Sequence, residues 1–157
     1  MTGVTSTDYR NAMGAFPTGV AVVTAVGEHG PAGLTTNAIT SVSLDPILLL
    51  VCFDNSSRTL PVVQEAGRFA VNLLASDQEP LAQVFASKQL AHEKFEAVTH
   101  TVEHGVPVLD GALAWFVCDV DAHHAGGDHT ITIGHVTALH HEPGMQPLRY
   151  ERGMFSR

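Results

Sequence analysis

Residues 123–141 read HHAGGDHTITIGHVTALHH and hold six of the chain's ten histidines. The apolar run ALAWFVCDVDA, residues 112–122, comes immediately before them. The spacing predicts two long strands, Ala112–His124 and His129–His141, folded into a hairpin on Gly126-Gly127. A glycine pair supplies the positive φ angles that a two-residue hairpin needs. In that register Phe116, Cys118, Val120 and Ala122 share a face and stand opposite Thr137, His135, Ile133 and Ile131.

The same register bears on what the histidines do. It sets His124 beside His129 at the turn and Cys118 beside His135 at the far end. Six residues of strand put these pairs ~20 Å apart, whereas zinc ligands lie at ~2.0–2.3 Å from the ion. These residues cannot share one metal. HTVEH, residues 100–104, matches a zinc-peptidase signature that works only on a helix. Here it lies in VTHTVEHGVP, rich in β-branched residues and closed by Gly and Pro. As a strand it holds its imidazoles ~13 Å apart, so no metal is expected. His129 is left as a rim residue: it follows Asp128, leaves a glycine turn and starts a strand.

Working outward, the rest of the chain has the same character. Thr7 or Asp8 can cap a helix over Tyr9–Ala15. Strands are expected over Gly19–Gly27, Ala32–Thr40, Ile47–Phe53, Arg68–Leu74, Val98–Glu103 and Leu148–Glu151. Short helices are expected from Ser57 or Thr59 to Ala66, ended by Gly67, and over Asp77–Ala86. Strands dominate without a βαβ rhythm. The fold class is therefore mainly β, an antiparallel barrel with short peripheral helices, in a single domain over residues 1–157. With 45% hydrophobic residues the chain has enough apolar side chains for a core.

A net charge of −8 opposes binding to phosphate backbones, so nucleic acid is not an expected partner. Cys52 and Cys118 each sit in an apolar run and read as buried thiols. The opening MTGVTSTDYRNAMG has no basic-then-apolar pattern of a signal peptide. ILLLVCF, the longest apolar run, is far short of the ~20 residues a bilayer requires. A cytoplasmic protein away from membranes is the expectation.

Two polar stretches carry the binding chemistry. NSSRT, residues 55–59, follows a buried strand and opens a helix. N–H groups at a helix start attract anions, and Arg58 adds a full charge. TTNAITSVS, residues 35–43, is polar on both faces of an expected strand, which wastes burial unless something polar lies against it. Ser87-Lys88 can add a further cation. Nucleotide fingerprints are missing: GEHGPAG, residues 27–33, has the wrong glycine spacing for GxGxxG, and no GxxxxGK[ST] occurs.

FPTGVAVVTA (16–25), GLTTNAITSVSLDP (33–46), SSRT (56–59), RFAVNLL (68–74), FASK (85–88), EKF (93–95), GDHTITIGHV (127–136) and PLRY (147–150) occur in that order. This ordered set, spanning about residues 8–153, resembles the short-chain flavin reductases, the reductase components of two-component flavin-dependent monooxygenases. Two features depart from the family pattern: Ile47 replaces a second proline after Pro46, and extra residues separate Lys88 from Lys94.

The resemblance implies a split β-barrel that binds FMN or FAD and works as a homodimer. It implies Asn37, Ala38, Thr40 and Ser41, with Thr35 and Thr36, along the isoalloxazine and ribityl chain. Asn55, Ser57, Arg58, Thr59, Ser87 and Lys88 fall at the phosphate end. His129 falls where nicotinamide meets flavin, as a positioning residue. The implied activity is NAD(P)H:flavin oxidoreduction supplying a partner monooxygenase. The alternatives are a flavin-binding storage or sensing protein on the same barrel, and a flavin oxidase acting on a small organic substrate.

Overall fold

The hairpin forms, with a shifted register. In a computed structural model that describes residues 3–157, two long antiparallel strands run over Ala114–Gly126 and His129–His141 and turn on Gly127-Asp128. His129 pairs with Gly126 and Ile131 with His124, two residues away from the sequence-based register. The positive φ falls on Gly127, at 70°. Two bulges follow, one skipping Asp121 and one skipping Thr137, so Cys118 stands opposite Val136 and His135 opposite Asp119. A pair of bulges on opposite strands restores the facing pattern while adding twist. Phe116, Cys118 and Val120 therefore still point into the core. The opening stretch and the domain expected over 1–157 both begin with Met1 and Thr2, which lie outside the described residues.

In chain order the elements are α1 (Ser6–Met13), β1 (Thr18–Gly19), β2 (Ala21–Gly27), β3 (Gly30–Thr36), β4 (Ile39–Leu44), β5 (Ile47–Asp54), α2 (Thr59–Ala66), β6 (Arg68–Leu73), α3 (Glu79–Ala86), α4 (Ala91–Glu96), β7 (His100–Glu103), β8 (Val106–Leu109), β9 (Ala114–Gly126), β10 (His129–His141), β11 (Arg149–Glu151) and β12 (Met154–Ser156). The first helix starts earlier than expected: Thr5 caps it, and Thr5 and Asp8 bond reciprocally as a capping box. The continuous strand expected over Ala32–Thr40 is broken at Asn37-Ala38 into β3 and β4. Helix α4 and strands β8 and β12 were not foreseen. HTVEH is extended, as expected: His100 is in β7 and His104 sits in the turn.

Seven strands form one antiparallel sheet in the order β3-β2-β6-β9-β10-β5-β4. Laid flat, its two edges would be ~29 Å apart at ~4.8 Å per strand. Yet those edges, β3 and β4, are consecutive and are joined by Asn37-Ala38 alone, a link that reaches at most ~11 Å. The sheet must curl until its edges approach. This is the split β-barrel, and the split lies at Asn37-Ala38.

The barrel interior is filled by alternate residues of the strands, among them Val23, Val51, Phe53, Phe69, Val71 and Cys118, all fully buried. Leu60 and Val63 of α2 join the same cluster, so this amphipathic helix covers part of it. Gly67 ends α2 in the left-handed conformation, as a helix C-terminus favours. Outside the barrel, Val20, just before β2, and Val22 of β2 cluster with Phe85 of α3 and Phe95 of α4. Buried Asn72 bridges β6, β2 and the end of β8: its Nδ2 donates to the Val22 carbonyl at 3.0 Å, and its Oδ1 accepts from the Leu109 N–H at 2.9 Å.

Gly134 in β10 is required by close approach. A Cβ there would lie 2.6 Å from Phe69 Cζ and 2.8 Å from Cys118 Cβ, with Phe69 wholly enclosed. Gly134→Ala is expected to destabilise the fold by ~1–3 kcal/mol, as overpacking does. Urea denaturation checks this through a lower midpoint at an unchanged slope.

Candidate functional site

The break at Asn37-Ala38 leaves backbone groups outside the sheet ladder, and the structure meets them locally. Thr36 Oγ1 accepts from the Ala38 N–H at 3.0 Å, and the Cys52 N–H donates to the Ala38 carbonyl at 3.0 Å. Asn37 Nδ2 donates to Thr18 Oγ1 at 3.1 Å. Thr35, beside Thr36, donates to the Ala82 carbonyl of α3 at 2.6 Å. Part of the polar character of TTNAITSVS thus goes into bracing the split.

A cleft of about 810 Å³ opens beside this break. Its walls bring together Thr35, Thr36, Asn37 and Ala38 from the split, Ser57, Arg58 and Thr59 from the start of α2, Ser87 and Lys88 after α3, and His129. These groups come from four separated stretches of chain. Of the remaining sequence-predicted residues, Thr40 lines a second cleft on the other side of the split. Ser41 is exposed on β4 and lines neither, and nor does Asn55. Asn55 instead steadies the β9–β10 turn: its N–H donates to the Asp128 carbonyl at 3.0 Å, and its Oδ1 accepts from Thr130 Oγ1 at 2.8 Å.

One end of the first cleft is cationic. Arg58 Nη2 donates to the carbonyls of Lys88 and Gln89 at 3.0 and 2.8 Å, tying the start of α2 to the loop after α3. Ser57 Oγ accepts from the Thr59 N–H, and Ser87 Oγ donates to the Val84 carbonyl, capping the end of α3. Lys94, which sequence reasoning did not single out, is buried in the same wall and donates from Nζ to the Phe85 carbonyl at 3.0 Å. Burial, and secondarily the Arg58 charge, lower its pKa from the usual lysine value. The signal was available: Ala91, Lys94, Phe95 and Val98 fall at helical spacing, which puts a lysine on an apolar stripe. Three basic side chains thus border one cavity in a chain of net charge −8.

The other end carries no lysine or arginine and is formed by Asn37, Ala38, Cys52 and His129, with Asp54 opposite His129. His129 begins β10 opposite Asp54 of β5 and turns Nδ1 to Asp128 Oδ1 at 2.7 Å. That leaves Nε2 as the ring nitrogen available to a ligand. Asp54 is held below the usual carboxylate range chiefly by hydrogen bonds from Ser56, with a smaller contribution from His129. Asp54 and Glu65 are the carboxylates of this cleft, and Ser56 already occupies the former. An elongated ligand with a neutral ring and an anionic tail matches this distribution, and the volume falls in the ~300–1,000 Å³ range of small-molecule sites.

Comparison with known proteins agrees with this geometry. The family model described as "Flavin reductase like domain" matches residues 13–157. The chain belongs to the flavin reductase-like family. It is 43% identical over 155 residues to the FMN reductase (NADH) SmoA of Agrobacterium fabrum, covering 99% of this chain and 87% of the relative. It is 34% identical over 151 residues to HsaB of Mycobacterium tuberculosis, the reductase subunit of a flavin-dependent monooxygenase, covering 94% of this chain and 80% of that one. The NADH:FAD oxidoreductase SgcE6 of Streptomyces globisporus, solved in complex with NAD and FAD fragments, superposes with a TM-score of 0.92 at 34% identity. That match covers 100% of this chain and 96% of that one. In this member of the family no described helix is long and apolar enough to cross a membrane.

The two thiols differ. Burial, with a smaller push from Asp119, raises Cys118 to about 12. Cys52 is half-buried in the cleft, and burial raises it less far. Maleimide at about pH 8, where only thiolate reacts, is expected to label Cys52 slowly and Cys118 only after unfolding. Peptide mass spectrometry with and without urea checks the order.

Proposed function

We propose that this flavin reductase-like chain is an NAD(P)H:flavin oxidoreductase that reduces FMN, or FAD, and passes it to a partner monooxygenase. The observation that supports it most is the cleft at the split, cationic at one end and without lysine or arginine at the other. The similarity to SmoA, HsaB and SgcE6 supports the same reading. A bound flavin would supply the redox chemistry as the acceptor of hydride from the nicotinamide. The chain's own part is to bind and align. Arg58, Lys88 and Lys94, with Ser57, Thr59 and Ser87, hold the phosphate end. Asn37, Ala38, Thr35 and Thr36 border the ribityl chain, and Thr40 reaches the ring from the second cleft. His129, fixed through Asp128, positions the nicotinamide.

The whole chain acts as one flavin reductase-like domain, in the cytoplasm, and as a homodimer. Val42, Leu44 and Ile47, exposed by 45%, 86% and 49%, place an apolar strip on the edge strand β4 and the start of β5. A second copy would remove that strip from water, and light scattering at the dimer mass checks the arrangement.

The deciding experiment mixes the protein with FMN, FAD or riboflavin and NADH or NADPH without oxygen, and follows flavin and nicotinamide absorbance. Flavin-dependent NAD(P)H oxidation is expected. Flavin binding without oxidation would favour a storage or sensing protein instead. His129→Ala is expected to lower kcat/KM for the nicotinamide ~10-fold, the equivalent of one positioning hydrogen bond, with less effect on flavin affinity. FMN is also expected to protect Cys52 from maleimide, because it would cover the thiol.

A further inference from the structure

A second cleft, of about 1340 Å³, lies across the split and shares Asn37, Ala38, Cys52 and His129 with the first. Its charged lining is two arginines, Arg10 and Arg152, with no carboxylate among the described lining residues. Acids outnumber bases 16 to 8 in the chain, so a cavity lined this way is a departure from the composition around it.

The two arginines are 142 positions apart in sequence, and their backbones are linked through one glycine. The Gly14 N–H donates to the Arg10 carbonyl at 2.8 Å, and the Arg152 N–H donates to the Gly14 carbonyl at 2.8 Å. A Cβ on Gly14 would lie 3.1 Å from the Arg10 carbonyl oxygen and 3.6 Å from the Arg152 Cα. Arg152 also occupies an unusual place. With Gly153 it forms the two-residue turn between β11 and β12, at φ 50° and 78°. The first position of such a turn favours Asn, Asp or Gly, and a long side chain there pays a conformational penalty. Its partner Glu151 stands at 3.7 Å, a loose and largely exposed pairing that leaves the guanidinium able to engage another anion. Tyr9, Phe16 and Tyr150 line the same cleft and offer flat apolar faces to a heteroaromatic ring.

We infer that Arg10 and Arg152 hold the pyrophosphate of the nicotinamide dinucleotide in the second cleft, with its adenine among Tyr9, Phe16 and Tyr150 and its nicotinamide reaching His129. This deepens the reductase reading and rests on it for the identity of the dinucleotide. Guanidinium groups suit the task because they bind phosphate oxygens through paired, charge-assisted hydrogen bonds. His129 is the group that both clefts share, so a ligand in each would meet there.

The test compares wild type with Arg10→Gln, Arg152→Gln and the double variant, all loaded with FMN. Two hydride donors are used: NADH, and N-benzyl-dihydronicotinamide, which has no phosphate. Calorimetry measures ADP-ribose binding in parallel. The double variant is expected to lose roughly tenfold or more in NADH kcat/KM relative to the neutral donor, as charged hydrogen bonds of this kind imply. Most of the loss should fall in KM, and lysine at both positions should restore part of it. ADP-ribose affinity should fall in step. An unchanged NADH:neutral-donor ratio overturns the inference, and so does an equal loss with both donors. If wild type reduces flavin with neither donor, the reductase reading fails on its own. The arginine assignment is then judged by ADP-ribose: weaker binding to the variants supports it, and equal or absent binding overturns it.

Discussion

Two residues, Asn37 and Ala38, join the two edges of a seven-stranded sheet. A flat sheet cannot satisfy that link, because its edges would be more than twice as far apart as the link reaches. Curling follows, and much else follows from the curl. It gathers Val23, Val51, Phe53, Phe69 and Val71 from three strands into one interior. It also sets the width allowed at crowded crossings, which is why β10 needs a glycine against Phe69. The place where the ladder gives out is the place where polar backbone can face a ligand, since barrel strands elsewhere spend those groups on each other.

Around the split, the protein separates charge from shape. The cations sit at one end of the first cleft, on the start of α2 and the segment from Lys88 to Lys94. The other end is built by the split and by His129. With a Debye length of ~8 Å at physiological salt, an anion in the cleft senses these nearby charges far more than the net charge of −8. Acidity of the whole chain and basicity of one cavity are therefore compatible.

Several groups that look like ligand contacts also have duties to the fold. Arg58 binds the Lys88 and Gln89 carbonyls, Lys94 binds the Phe85 carbonyl, and Thr35 binds the Ala82 carbonyl. These bonds fix the loop that presents Ser87 and Lys88 and turn positive charge towards the cavity without waiting for an anion. Such preorganisation spares the ligand the cost of ordering the loop. His129 is treated likewise: Asp128 takes Nδ1, and Asn55 holds the turn from behind.

The sequence by itself determined the mainly β character, the long hairpin and the short helices with their stop at Gly67. It also marked the separate polar stretches, because alternation, capping and turn residues act locally. The ordered blocks from FPTGVAVVTA to PLRY carried the family resemblance. Register was beyond local reasoning: the hairpin turns on Gly127-Asp128, and bulges at Asp121 and Thr137 depend on fitting Gly134 over Phe69, a contact between distant residues. The break in β3–β4 was hidden because the β-branched Thr35, Thr36, Ile39 and Thr40 flank Asn37-Ala38 on both sides, and the closing of the sheet falls on that pair. Lys94 was passed over because its cost of burial is offset by a carbonyl at the end of another helix. Tertiary structure alone decided which polar stretches share a cavity and which residues, such as Ser41 and Asn55, stand aside from it. The physical reason is that a cleft is made by elements meeting in space, and no local preference in the chain encodes that meeting.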